Sequence, residues 1–222
     1  MQPLSIFDMD KTITRAATFG PFLIYAVPRY APWRVVFAPL VLLTTLGFLL
    51  RIVSRGRLKE INLALMLGTR IDMAKLDRIS AGFAGQTLSR NCLAGALARV
   101  EAERAAGRRV VLATASYAFY VRQIAALIGV KDVIATRTTD MGGFVSPRID
   151  GENCYGGAKL RMVQDWMAAE PIDRQTTHIR FFSDHVSDAP CLDWADEGFA
   201  TNAHAPLRAL AVKKGWPVLD WA

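Results

Sequence analysis

The chain has 222 residues, 52% of them hydrophobic and 21% charged, with a formal net charge of +7. This composition can bury a full core and excludes a disordered chain, while the positive balance suits an anionic partner such as a phosphorylated substrate, a membrane surface or nucleic acid. Three scattered cysteines (Cys92, Cys154, Cys191) and three histidines (His178, His185, His204) without metal spacing argue against a disulfide framework or a zinc site. No signal peptide is expected, because a candidate strand starts almost at Met1.

That strand is the apolar run Leu4, Ile6, Phe7, which leads into Asp8, Asp10 and Thr12. In an extended chain, residues i and i+2 share a face. Asp8 and Asp10 are therefore expected to leave the strand end together, at the edge where an open α/β sheet places its ligand. Two adjacent carboxylates repel unless a cation lies between them or one holds a proton. Mg²⁺ meets that need, since it takes a few carboxylates plus substrate phosphate oxygens. Alone, the D-x-D-x-T pattern also fits an acidic strand-to-loop turn.

Residues 19–31 are apolar but broken by Pro21 and Pro28, and Val35–Leu50 then runs sixteen residues without a charge between Arg34 and Arg51. A bilayer span needs about 20 such residues, and buried or interfacial runs are nearer 10–14. A single crossing would also put the two halves of the candidate site on opposite sides of a membrane. The run is expected to be a helical element that dips into one leaflet or packs within a helical cap. From Arg15 to Glu60 seven bases face one acid, close to the whole net charge. Basic residues beside an apolar helix attract anionic lipid.

Residues 58–90 read as helical, with Gly82 and Gly85 marking a turn. An amphipathic helix follows from Asn91 to Gly107. Arg109–Ala113 is a buried strand ending in Thr114-Ala115-Ser116, followed by a helix over Tyr117–Ile128 and a strand over Val133–Thr136. Thr138–Gly151 suggests a hairpin around Gly142-Gly143. Lys159–Met167 is helical. A strand over Ile179–Phe182 delivers Ser183, Asp184, His185 and Asp188, before a short helix (Ala189–Trp194) and a last strand (Gly198–Ala200). This alternation implies a parallel α/β sheet.

Three strands thus end in polar clusters, with Lys159 between the second and third. The ordered set Asp8/Asp10/Thr12, Thr114/Ala115/Ser116, Lys159 and Asp184/Asp188 resembles the haloacid dehalogenase superfamily of phosphohydrolases, and most of all its phosphoserine-phosphatase-like branch, subfamily IB. The resemblance covers Leu4 to about Leu219. It implies a Rossmann-like parallel sheet core over residues 1–15 and 90–222, with a helical C1-type cap over 16–89 that holds the hydrophobic segment 33–53.

Under that resemblance Asp8 is the nucleophile that forms an aspartyl-phosphate, and Asp10 the acid and base. Mg²⁺ would be held by Asp8, Asp184 and the main-chain carbonyl of Asp10. Thr12, Thr114, Ala115 and Lys159 would bind the phosphoryl group, and Asp188 would orient metal-bound water or Lys159. Singly, each has a plainer role: Thr114 ends a strand, Lys159 is a solvated first-turn lysine, and Asp188 caps a helix. Together their convergence favours catalysis.

The chain departs from the pattern at Lys11, where many relatives have Gly, and at His185, where a small residue is commoner. Ala17 stands where true phosphoserine phosphatases carry an acid for the substrate amine, which argues against free phosphoserine. The apolar, basic-flanked stretch 19–57 looks more like membrane-bound phosphatidylglycerophosphate phosphatases. The expectation is a Mg²⁺-dependent phosphomonoesterase on a membrane lipid phosphate, peripheral on the cytoplasmic face of the inner membrane and drawn to its anionic surface. The rivals are a soluble small-metabolite phosphatase and a non-catalytic membrane-binding protein of this fold. Nucleic-acid binding is discounted, because the bases lack interleaved stacking residues.

Overall fold

The computed structural model describes residues 2–221. Strand β1 (Leu4–Phe7) lies inside the sheet, parallel to β3 (Arg109–Tyr117) on one side and to β6 (Ile179–Ser183) on the other. Beyond β3 come the parallel β4 (Asp132–Asp140) and the antiparallel β5 (Phe144–Asp150). Beyond β6 come β7 (Glu197–Thr201) and β8 (Val218–Leu219), both parallel. The edge beside β5 is completed by β2 (Ile71–Asp72), two residues from the long stretch between β1 and β3. That stretch is therefore stitched to the sheet by backbone hydrogen bonds as well as by packing.

Alternation along β1 sets the two cores. Leu4 and Ile6 pack with Val111, Val163 and Phe181 on one face. Phe7 packs on the other, its ring stacked 4.3 Å from Phe182, which stacks in turn on Phe199 at 4.6 Å. Helix α7 (Gly157–Ala169) and α8 (Ala189–Trp194) contribute to the first core, as does α9 (Ala205–Lys214). The second core receives α5 (Ala94–Ala105) and α6 (Ala118–Leu127), together with the inserted helices.

The inserted helices are α1 (Phe19–Tyr30), a 3₁₀ turn with α2 (Pro32–Phe37, then Ala38–Leu49), α3 (Arg55–Leu67) and α4 (Met73–Arg90). The expected turn at Gly82 and Gly85 does not occur: α4 runs straight through both. The break falls earlier, at Gly68, whose φ of 105° few other residues adopt. Gly82 serves packing, because a Cβ there would collide with the Tyr25 hydroxyl of α1. The uncharged run is also not one helix, since Pro32–Phe37 is 3₁₀ before α2 begins.

β1 is locked by a buried polar network. Ser5 Oγ donates to Glu103 at 2.6 Å and accepts from Arg108 Nε at 2.7 Å. Glu103 also pairs with Arg99, Arg108 and Arg180. Burial raises the Glu103 pKa, but the Ser5 hydroxyl and Arg99 and Arg180 outweigh it and hold the group below the ordinary glutamate value. Glu103→Ala would leave Arg108 buried and unpaired, and such losses cost about 3–5 kcal/mol. Denaturant unfolding should show the midpoint dropping with an unchanged slope, and a midpoint equal to wild type would contradict this account of how β1 is fixed.

Candidate active site

The strands β3, β1 and β6 are parallel neighbours, so their C-terminal ends share one edge of the sheet. Asp8 is the first residue after β1, and its N–H donates to Phe182 O at 2.9 Å. Asp184 follows β6 directly, and Asp188 ends the single turn that comes next. Lys159 sits in the first turn of α7 and is fully buried.

The Lys159 ammonium lies 2.7 Å from Asp8 Oδ1 and 2.5 Å from Asp188 Oδ2. Asp188 Oδ2 also accepts from Ser183 Oγ at 2.8 Å, while its Oδ1 has no hydrogen-bond partner among the described residues. Burial disfavours the Lys159 charge, yet Asp188 and Asp8 overcome it and hold the group well above the ordinary lysine value. Asp8 moves the other way: burial lifts it above the carboxylate range, Lys159 opposes the lift, and Asp188 and Asp184 add to it. Asp184 is pushed up to about 6 by burial and then by Asp188.

These carboxyls are short of positive charge. Asp8, Asp184 and Asp188 are all buried, and among the described residues Lys159 is the buried cation that pairs with any of them. A divalent cation would relieve the deficit, and the partnerless Asp188 Oδ1 fits an additional donor nearby. Among the described residues no three His, Cys, Asp or Glu side chains form a closed metal cage. The Asp8 and Asp184 carboxylates fit Mg²⁺, which commonly binds one or two carboxylates and leaves its other positions to water and phosphate oxygens.

β1 stops at Phe7, so Asp8 and Asp10 lie in the loop that follows it, and the chain turns just beyond them, at Lys11, with a φ of 63°. The Asp10 carboxyl has its own partners: Oδ1 accepts from the Thr18 N–H (2.9 Å) and hydroxyl (2.8 Å), and Oδ2 accepts from Ser116 Oγ at 2.7 Å. With its carboxyl so engaged, the group Asp10 could offer a metal is its main-chain carbonyl. Thr12 lies in the turn with its hydroxyl buried and without a hydrogen-bond partner among the described residues.

At the end of β3 the pairing with β4 slips between Thr114 and Tyr117. Ala115 and Ser116 bulge out of the ladder. The Ser116 N–H donates to Thr114 Oγ1 at 3.2 Å. The freed Ala115 carbonyl accepts from Thr136 Oγ1 at 2.7 Å and from Lys59 Nζ at 2.5 Å. Lys59 comes from α3 and is buried, although the sequence presents it as one of a run of surface bases. Thr18, Ser116 and Asn153 complete this side of the site. A hydroxyl next to the position normally acidic was the one sequence signal for Thr18.

The rim carries the unusual residues. Lys11 is exposed, and its backbone is held by Asn202 Nδ2 donating to the Lys11 carbonyl at 3.2 Å. The His185 ring stacks on His204 at 4.3 Å, and His204 Nδ1 lies 2.8 Å from the Asp184 carbonyl. Tyr155 neighbours His185 at 6.2 Å and carries the Arg55 guanidinium of α3 over its ring at 4.3 Å.

Comparison with known proteins accords with this arrangement. A protein of Streptomyces azureus described as an inhibition of morphological differentiation protein is 33% identical over 127 residues, covering 55% of this chain and 43% of that protein. A phosphoserine phosphatase of Mycobacterium tuberculosis is 28% identical over 116 residues, covering 52% and 37% of the two chains. The chain thus spans less than half the length of these relatives. A solved structure of a Bordetella pertussis protein of unknown function superposes over the full length of both chains, with a TM-score of 0.86 at 23% identity, and so shares the fold. The profile of haloacid dehalogenase-like hydrolases matches residues 6–193, most of the chain, and the protein belongs to that family.

Proposed function

We propose that the protein is a phosphomonoester hydrolase in which Asp8 is the nucleophile. The observation that carries this reading is the buried Asp8–Lys159–Asp188 triad at the end of β1, with Lys159 2.7 Å from Asp8. An Asp8 oxygen attacks phosphorus, the bond from phosphorus to the ester oxygen breaks, and the leaving oxygen takes a proton from Asp10. Asp10 then accepts a proton from water, whose oxygen attacks the phosphorus of the aspartyl-phosphate. Inorganic phosphate leaves and the Asp8 carboxylate is restored. Lys159 keeps Asp8 in place and offsets its charge as the phosphate dianion approaches. Thr18 and Ser116 aim the Asp10 carboxyl. Mg²⁺, held by Asp8, Asp184 and the Asp10 carbonyl, would supply charge neutralisation on the transferring phosphoryl group.

For the substrate we favour a lipid phosphate met at an anionic membrane face on the cytoplasmic side. The support is the outer face of the insertion. No residue of Pro32–Leu49 is buried, and Leu42, Val36 and Leu49 are 72%, 66% and 69% exposed. An apolar groove of about 740 Å³ runs between α1 and α2, lined by Leu23, Ile24, Val27, Val35 and Leu42. Monomers seldom leave so large an apolar patch uncovered. The neighbouring charge is positive, although less so than the sequence suggests. Lys59 is turned inward, Arg34 donates to the Ala64 and Leu65 carbonyls, and Arg57 pairs with Glu60. Arg51 and Arg55 remain exposed beside α2 and make no ion pair among the described residues. A single crossing is impossible, because β1 and β3 flank the insertion and hydrogen-bond to each other. This geometry supports a helix lying in one leaflet.

A soluble small ester is the second reading, supported by the similarity to a phosphoserine phosphatase. Phosphate release with Mg²⁺ should be measured on phosphatidylglycerophosphate in mixed micelles, lysophosphatidate, and soluble sugar and amino-acid phosphates. Asp8→Asn is expected to lower kcat on the best substrate by about 10³-fold or more. A preferred soluble ester would overturn the lipid assignment, and full activity of Asp8→Asn would overturn the nucleophile.

Sedimentation with vesicles rich in anionic lipid should bring down the wild-type protein. Leu42→Asp and Leu49→Asp should stay in the supernatant with unchanged melting curves. Equal partitioning of all three would remove the membrane role of α2.

A further inference from the structure

The buried lysine of the insertion has no part in the chemistry above, yet its position is built with care. Lys59 is 6% exposed. Its ammonium donates to the Ala115 carbonyl at 2.5 Å and to Asn153 Oδ1 at 2.8 Å, and lies 4.3 Å from the centre of the Tyr117 ring. Burying an ammonium is costly unless its protons find acceptors. Here the acceptors are a carbonyl released by the β3 bulge, a side-chain amide and an aromatic face.

The carbonyl is the informative partner. Ala115 lies between Thr114 and Ser116, and Ser116 Oγ reaches Asp10 Oδ2 at 2.7 Å and Thr18 Oγ1 at 3.1 Å. A fixed Ala115 peptide therefore fixes the hydroxyl that aims Asp10. The residue doing the fixing belongs to α3, the helix hydrogen-bonded to the exposed α2 through Asn62 and Thr44 (2.6 Å). α3 meets the sheet at β5, where the Ile149 N–H donates to Glu60 Oε1 at 2.8 Å, and at the β3 bulge through Lys59, so a shift of α2 and α3 relative to the sheet reaches the Ala115 carbonyl through Lys59.

We infer that Lys59 is a positioning residue that couples the seating of the inserted helices to the orientation of Asp10, by clamping the bulged end of β3. The inference rests on the proposed role of Asp10 as acid and base. The clamp is strongest when Lys59 carries its charge, since charge-assisted hydrogen bonds exceed neutral ones.

That charge is balanced near neutrality. Burial draws the Lys59 pKa down to about 7, opposed by Asp10, Cys154 and Glu60 and assisted by Arg55. Tyr117 faces it from β3 and, itself buried, is held neutral far above the working range. The clamp therefore weakens as pH rises through about 7. The sign for stability is opposite. The folded pKa lies below the unfolded value of 10.5, so the unfolded chain binds the extra proton between the two. The stability linked to Lys59 is present above 10.5 and is lost as pH falls to about 7.

The test compares wild type, Lys59→Met and Lys59→Arg on the best phosphate ester, with kcat and KM followed from pH 5.5 to 9 and melting temperatures alongside. Lys59→Met is expected to lose about tenfold in kcat at pH 6, with KM within about twofold, and to lack a falling limb near pH 7 that the wild type shows. Lys59→Arg, charged throughout, should keep its kcat at pH 8. The melting temperature of the wild type should gain on that of Lys59→Met from pH 7 to 9. A Lys59→Met kcat equal to wild type, or a loss identical at every pH, would overturn the clamp while leaving Asp8-dependent hydrolysis intact. Absence of hydrolysis on every ester would instead remove the phosphatase reading, and this inference with it.

Discussion

The site depends on one ammonium buried between two carboxylates. Lys159 holds Asp8 on one side and Asp188 on the other with almost no solvent contact. Removing that charge would leave two carboxyls facing each other in a dry pocket, with Asp184 close behind. The surrounding fold reads as a means of bringing these groups together. β1 delivers Asp8, β6 delivers Asp184 and the turn to Asp188, and α7 presents Lys159 from its first turn. The buried carboxyls still exceed the buried cations that pair with them, and so a cation and a phosphate are the natural occupants.

A second constraint acts from the opposite flank. The bulge at the end of β3 frees the Ala115 carbonyl and turns Ser116 toward Asp10. Asp8 and Asp10, two residues apart, are thereby held by separate sets of partners: one ionic and fully buried, the other built from hydroxyls and a backbone N–H. Such separation lets two carboxyls of the same type take different roles under the proposed chemistry. It also ties the insertion into the site at two points, Thr18 at the start of α1 and Lys59 on α3.

Much of the frame was legible in the sequence, because buried parallel strands leave continuous apolar runs and their ends carry the polar residues. Leu4–Phe7, Arg109–Ala113 and Ile179–Phe182 all show this pattern. What could not be read depends on contacts distant in sequence. Lys59 looks solvated among six neighbouring bases, and only the packing of α3 on the β3 bulge reveals it as buried. That Asp8 and Asp10 have separate partners rests on Lys159, Thr18 and Ser116, which come from distant parts of the chain. Gly82 resembled a turn residue, whereas its lack of a side chain admits Tyr25. β2, at two residues, is too short to leave any periodicity, and α9 followed a strand too closely to be distinguished from the tail.

The insertion carries an exposed apolar face on α2 and, on the adjoining α3, the buried Lys59. Its relation to a membrane bears on substrate choice, but the chemistry turns on Asp8. The most direct measurement is therefore to quench the protein with acid during turnover of a phosphate ester and map the phosphoryl group by mass spectrometry. The account predicts an acid-stable, base-labile phosphoryl group on the peptide that contains Asp8, absent from Asp8→Asn. Turnover with no trapped group, or a group trapped on a serine or histidine, would contradict it.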